Sequence, residues 1–159
     1  MPPILNARRR TLRALALGAA WIVGLGAGVL RAGQALAAAW NKPGFEAKAV
    51  ADVLKSLGAA PLAESRDIVI SAPDIAENGA EVPVTVTSRI PNTQSLSLIA
   101  EKNPFPLVAT FEFEAGIEPT VLLRIKMAET ARLRCVVKAD GRFYTAAREV
   151  KITLGGCGA

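Results

Sequence analysis

The chain ends Gly155-Gly156-Cys157-Gly158-Ala159, a cysteine third from the C-terminus with glycine on both sides. A thiol forms and breaks bonds to sulfur under mild conditions, through its thiolate. Glycine has no Cβ and the widest backbone freedom, so Gly155, Gly156 and Gly158 read as the mobile part of an arm and Cys157 as its reactive group. Fully extended, five residues span at most about 17 Å at roughly 3.3–3.6 Å each, enough to enter a cleft in another protein. No Lys, Arg or His adjoins Cys157. Its activation must then come from whatever binds the arm. The pattern predicts a protein that carries a group covalently and does not transform it.

The remaining residues offer little other chemistry. The chain has no histidine, which removes Ser-His and Cys-His nucleophilic pairs and histidine-based metal sites. Two cysteines alone make a poor metal site, and no metal or cofactor is expected. Cys135 shares an alternating run with Leu133 and Val137, so it reads as a small buried hydrophobe. Three other fates for the cysteines stay open: a Cys135–Cys157 disulfide, an intermolecular disulfide through Cys157, and lipidation. The last is disfavoured because prenylation needs the cysteine fourth from the end.

The N-terminus reads as an export signal. Arg8, Arg9, Arg10 and Arg13 precede an uncharged run from Leu15 to Leu30, and Ala35-Leu36-Ala37 supplies a small-x-small cleavage pattern, with Ala39 as an alternative. The run falls short of the roughly 20 residues a membrane span needs. Arg8-Arg9-Arg10-Thr11-Leu12-Arg13 resembles a twin-arginine (Tat) motif, with Thr11 where the pattern has Phe. That route exports folded proteins to the periplasm. A Sec signal and a retained single-pass anchor are the alternatives.

Removing residues 1–37 changes the charge. They hold five of the 19 basic residues and none of the 14 acids, so the remainder balances at 14 of each. The pI of about 9.6 belongs to the signal. It gives no support for nucleic-acid binding, which needs a basic patch on the domain itself.

The elements that must position Cys157 follow. Residues 44–57 predict a short amphipathic helix through Phe45, Ala49, Val53 and Leu57, stopped by Gly58 with Pro61 beyond. Ile68 to Ile70 predicts a brief strand, and Ala72 to Gly79 a loop ending in an Asn-Gly turn. Alternation then marks Val82-Val84-Val86, Leu96-Leu98-Ala100, Leu107-Ala109-Phe111-Phe113, Val121-Leu123-Ile125 and Leu133-Cys135-Val137. Pro83 suggests an edge strand or a strand start. Asp140-Gly141 predicts a hairpin turn, and Phe143 to Ala146 and Val150 to Leu154 complete the set. The prediction is an all-β, immunoglobulin-like antiparallel sandwich of about seven strands. It divides the chain into a signal (1–37), a helical segment (38–66), a β-sandwich (67–154) and a carrier arm (155–159).

Four stretches carry a family resemblance. Ala72-Pro-Asp-Ile-Ala-Glu-Asn-Gly79, Glu101-Lys-Asn-Pro-Phe-Pro-Leu107, Arg124-Ile-Lys-Met-Ala-Glu-Thr130 and Val150-Lys-Ile-Thr-Leu-Gly-Gly-Cys-Gly158 resemble SoxY, the sulfur-carrier subunit of the thiosulfate-oxidising system. The family usually ends Gly-Gly-Cys-Gly-Gly, so Ala159 is a departure. Cys135 is not a usual family position.

The resemblance implies a periplasmic, non-catalytic carrier that pairs with a SoxZ-like subunit and leaves the cytoplasm with it. A SoxXA haem enzyme couples thiosulfate to the carrier cysteine, here Cys157. SoxB hydrolyses the terminal sulfone to sulfate. A sulfane dehydrogenase, where one exists, oxidises the remaining persulfide sulfur. The contrasting function is a secreted interaction module whose Cys157 makes a structural intermolecular disulfide. A thioredoxin-like redox protein is disfavoured, because the chain has neither Cys-x-x-Cys nor a βαβ pattern.

Overall fold

The computed structural model describes residues 40–154. Two short helices, α1 (Lys42–Glu46) and α2 (Val50–Ser56), precede nine strands. These are β1 (Leu62–Glu64), β2 (Ile68–Ser71), β3 (Ile75–Asn78), β4 (Val82–Ser88), β5 (Thr93–Ala100), β6 (Leu107–Glu112), β7 (Thr120–Ile125), β8 (Ala131–Ala139) and β9 (Arg142–Leu154). A six-stranded sheet runs β1-β9-β8-β5-β6, with β3 also on β9, and a three-stranded sheet runs β2-β4-β7. The predicted all-β sandwich is the fold.

The alternating runs define the core. Val82, Val84 and Val86 from the small sheet meet Leu96, Leu98, Leu133, Cys135 and Val137 from the large one, all at most 1% exposed. Each such side chain contributes about 1.5–3 kcal/mol when fully withdrawn from water. A second cluster lies on the opposite face of the large sheet, where Val53 of α2 covers Ile99, Leu107 and Val136. The helices therefore form a third, partial layer.

Local signals closed the chain where the sequence placed them. Asp140 (φ 48°) and Gly141 (φ 72°) form a two-residue turn between β8 and β9, both in the left-handed region that such a hairpin requires. Gly58 (φ 66°) ends α2: its N–H bonds Lys55 O at 3.1 Å and the Ala59 N–H bonds Leu54 O at 2.9 Å, the paired arrangement of a glycine C-terminal motif.

Four features depart from the sequence-based expectations. The single helix over 44–57 is two. Asn41 caps α1 by accepting from Gly44 N at 3.1 Å, the backbone turns extended at Ala47, and α1 folds back beside α2. Gly44 is needed there, since a Cβ would lie 2.6 Å from Ser56 Oγ. The loop over 72–79 contains β3, and Leu62–Glu64 forms β1; both pair parallel to β9. The two predicted final strands are one continuous β9. Pro83 agrees with the expected strand start: it is the second residue of β4, the middle strand of its sheet. It is tolerated because β2 pairs only with Thr85 to Ser88, leaving Pro83 opposite Arg124 of β7 alone.

Candidate functional site

The signal over 1–37, its cleavage positions at Ala37 and Ala39, and the arm residues Gly155, Gly156, Cys157, Gly158 and Ala159 lie outside the described residues. What the structure describes is the end of β9, up to Leu154. Cys157 is three residues beyond Leu154, so its Cα lies within about 11 Å of that of Leu154, at roughly 3.3–3.6 Å per residue.

The four stretches that carried the resemblance converge on the end of β9. On one edge of β9, β3 pairs Ile75 with Lys151, Ala76 with Ile152 and Asn78 with Leu154. Lys151 N donates to Asp74 O at 2.9 Å, and Thr153 Oγ1 donates to Glu77 O at 2.9 Å. On the other edge, β8 starts at Ala131 opposite Val150. Beyond that point Thr130 takes over: Ile152 N donates to its Oγ1 at 2.9 Å.

The loops are stitched to one another as well. Asn103 Nδ2 donates to Lys126 O at 2.7 Å while its Oδ1 accepts from Ala128 N at 2.9 Å. Met127, fully buried, donates its N–H to Gly79 O at 2.7 Å. Glu101 receives both Arg132 Nε at 3.1 Å and Arg134 Nε at 2.8 Å. Arg148 Nη2 holds Asp74 Oδ1 at 2.7 Å. The Lys102–Glu129 pair at 3.8 Å has both side chains more than half exposed and contributes little.

Asn103 and Thr130 carried no motif that singled them out. Their only sequence signal was membership of the stretches that resembled a family, since a hydrogen bond from a loop hydroxyl to a distant strand has no periodicity.

The second cysteine is placed as expected. Cys135 is a free, fully buried thiol between the sheets, and burial pushes its pKa from 9.0 to about 12. Above pH 9 the unfolded chain releases this proton and the folded chain keeps it. The stability that burial of the neutral thiol confers is thus complete below pH 9 and is lost as pH rises towards 12, by about 1.4 kcal/mol per pH unit. Denaturant titrations between pH 8 and 11 check this, because Cys135→Ala lacks that component of the slope. Iodoacetamide at pH 8 is expected to leave Cys135 unmodified in the folded chain and to modify it once the chain unfolds.

No group of three His, Cys, Asp or Glu side chains is gathered as a metal site among the described residues. A cavity of about 530 Å³ lies between Ser88–Gln94 and Phe113–Pro119, at the end of the sandwich away from the end of β9.

This is a class of all-β sandwich protein whose last described strand, β9, is held on both edges up to its end. The profile described as "Sulfur oxidation protein SoxY" matches residues 53–157, a range that includes Cys157. The chain belongs to the SoxY family. Its structure is similar to that of the sulfur carrier protein SoxY from Chlorobium limicola f thiosulfatophilum, at 45% identity and a TM-score of 0.59, covering 64% of this chain and 93% of that one. A superoxide reductase (neelaredoxin) from Ignicoccus hospitalis matches at 22% identity and a TM-score of 0.48, covering 54% of this chain and 78% of that one, and carries no argument. No curated protein matches the chain.

Proposed function

We propose that this protein is a periplasmic covalent sulfur carrier, with Cys157 as attachment point and Gly155, Gly156 and Gly158 giving the arm clearance and freedom. The observation that carries this reading is the family match running through Cys157, at the end of a strand pinned on both edges to within three residues of it. In this reading residues 1–37 are a Tat signal removed near Ala37, and residues 155–159 are the arm.

The Cys157 thiolate and the outer sulfur of thiosulfate form an S–S bond. Two electrons pass, one at a time, through the haem of a SoxXA-type enzyme to its electron acceptor, the thiol proton passes to solvent, and the product is a cysteine S-thiosulfonate. Water then cleaves the bond between the outer sulfur and the sulfone in a SoxB-type hydrolase. Sulfate leaves and a persulfide remains on Cys157. A sulfane dehydrogenase oxidises that sulfur where such an enzyme is present. In this reading the base and the metal for these steps belong to the enzymes. The chain's part is to hold the sulfur and present it, in complex with a SoxZ-like subunit.

Incubation of the carrier complex with radiolabelled thiosulfate and an oxidised coupling enzyme is expected to attach one label per chain, released by dithiothreitol. A chain recovered only as a disulfide-linked dimer, with no label, would contradict the proposal and favour a structural disulfide through Cys157.

A further inference from the structure

β9 outruns its neighbour. β8 begins at Ala131, opposite Val150, so the last four residues of β9 pass beyond it. On that edge a backbone ladder is no longer available to Ile152, and a side chain takes its place. Thr130 Oγ1 accepts from Ile152 N at 2.9 Å and lies 3.4 Å from Ile152 O, to which its hydroxyl can donate. One hydroxyl thus meets both backbone groups of Ile152, as an opposing strand residue would.

Thr130 is itself held. Asn103 fixes Lys126 and Ala128 through its side-chain amide, and Met127 is tied to Gly79. The segment that presents the hydroxyl is therefore bonded to two separate loops. β3 grips the opposite edge of the same four residues. Strain on the end of β9 meets β3 on one side and Thr130 on the other.

We propose that Thr130 is a positioning residue for sulfur transfer: its hydroxyl latches Ile152 and so fixes the point from which the carrier arm starts. This rests on the carrier reading of Cys157. With the latch closed, three residues link the end of the ladder to the cysteine. With the latch lost, Lys151 to Leu154 are held by β3 alone, and whenever that edge also frays, so that β9 is paired only up to Val150, seven do. The arm then searches a larger volume. The effective concentration of the thiol at a docked enzyme falls roughly as the −3/2 power of length, about three- to fourfold for that change.

The test compares Thr130→Val, which keeps shape and loses the hydroxyl, with Thr130→Ser, which keeps the hydroxyl, in the full chain bound to its partner subunit. Two readouts are taken. Amide exchange at Ile152 is expected to accelerate about two- to tenfold in Thr130→Val, the range for one net hydrogen bond, and to stay at the wild-type rate in Thr130→Ser. Exchange at Leu98 and Val137, deep in the core, serves as the control and stays unchanged in both. In thiosulfate coupling, the KM for the carrier is expected to rise in Thr130→Val, by up to about threefold, with kcat unchanged, and Ser restores it.

The proposal is overturned if Val leaves Ile152 exchange unchanged, if Ser behaves as Val does, or if exchange accelerates without any change in KM. A wild-type chain that takes up no sulfur contradicts the carrier reading instead, and the exchange comparison still decides whether the hydroxyl latches Ile152.

Discussion

Cys157→Ser is expected to reduce thiosulfate-dependent sulfate formation to the level seen with no carrier, and to leave the fold intact. A serine oxygen cannot form the S–S bond that retains the cargo, and no other exposed cysteine can replace it, because Cys135 is fully buried. Among the described residues the last strand pair is Asn78 with Leu154, three residues before the substitution. Thermal unfolding of the variant should match the wild type within about 0.5 kcal/mol, as surface changes away from structural features do. Binding to the partner subunit should persist as well. Sustained turnover by this variant would refute the role assigned to Cys157.

Leu133→Ala is expected to destabilise the fold by about 2–5 kcal/mol, the range for deleting a buried leucine side chain and leaving a cavity. Leu133 lies on the inner face of β8, beside Cys135 and opposite Ala100 of β5, and none of its surface is exposed. For a domain this size the loss corresponds to a drop in Tm of about 10 °C or more. Domains of this kind are stable by only about 5–15 kcal/mol, so the change removes a substantial fraction. Leu122→Ala is the internal contrast. Leu122 is 81% exposed on the outer face of the small sheet, and its loss should stay within about 0.5 kcal/mol. Denaturant midpoints with unchanged m-values would measure both; equal shifts for the two leucines would contradict the assigned core.

These two expectations draw on features the sequence displays with different clarity. The inner faces of β4, β5 and β8 were legible because alternation with a single buried side leaves a period of two in the chain. The turn at Asp140-Gly141 and the stop at Gly58 were legible because both need positive φ, which glycine adopts without strain. β1 and β3 were not. Each is three or four residues long and pairs with a strand more than 70 residues away. In β3 only Ala76 is buried, while Ile75 faces out at 59% exposure. Nothing local distinguishes such a segment from a loop. The break between α1 and α2 was equally hidden, because the apolar spacing continues across it and the two helices are joined by the bond from Asn41 Nδ2 to Ser56 Oγ, where only a glycine at 44 leaves room.

The site divides in the same way. The proposal for Cys157 comes from composition, a cysteine set among glycines, and from the family match that includes it. The surroundings of the end of β9 were legible only as resemblance. Asn103, Thr130 and Thr153 act through hydrogen bonds that join distant segments, and the bond from Thr130 to Ile152 spans 22 residues. Polar loop residues of this kind look alike until the fold brings their partners to them.

The central claim is that thiosulfate-derived sulfur is held on Cys157. It is tested most directly by peptide-level mass spectrometry of the chain after coupling, before and after reduction. The account predicts one added thiosulfate group on the C-terminal peptide containing Cys157, removed by reductant, and an unmodified peptide containing Cys135. Sulfur on the Cys135 peptide, or a C-terminal peptide that remains unmodified while sulfate is being formed, would contradict it.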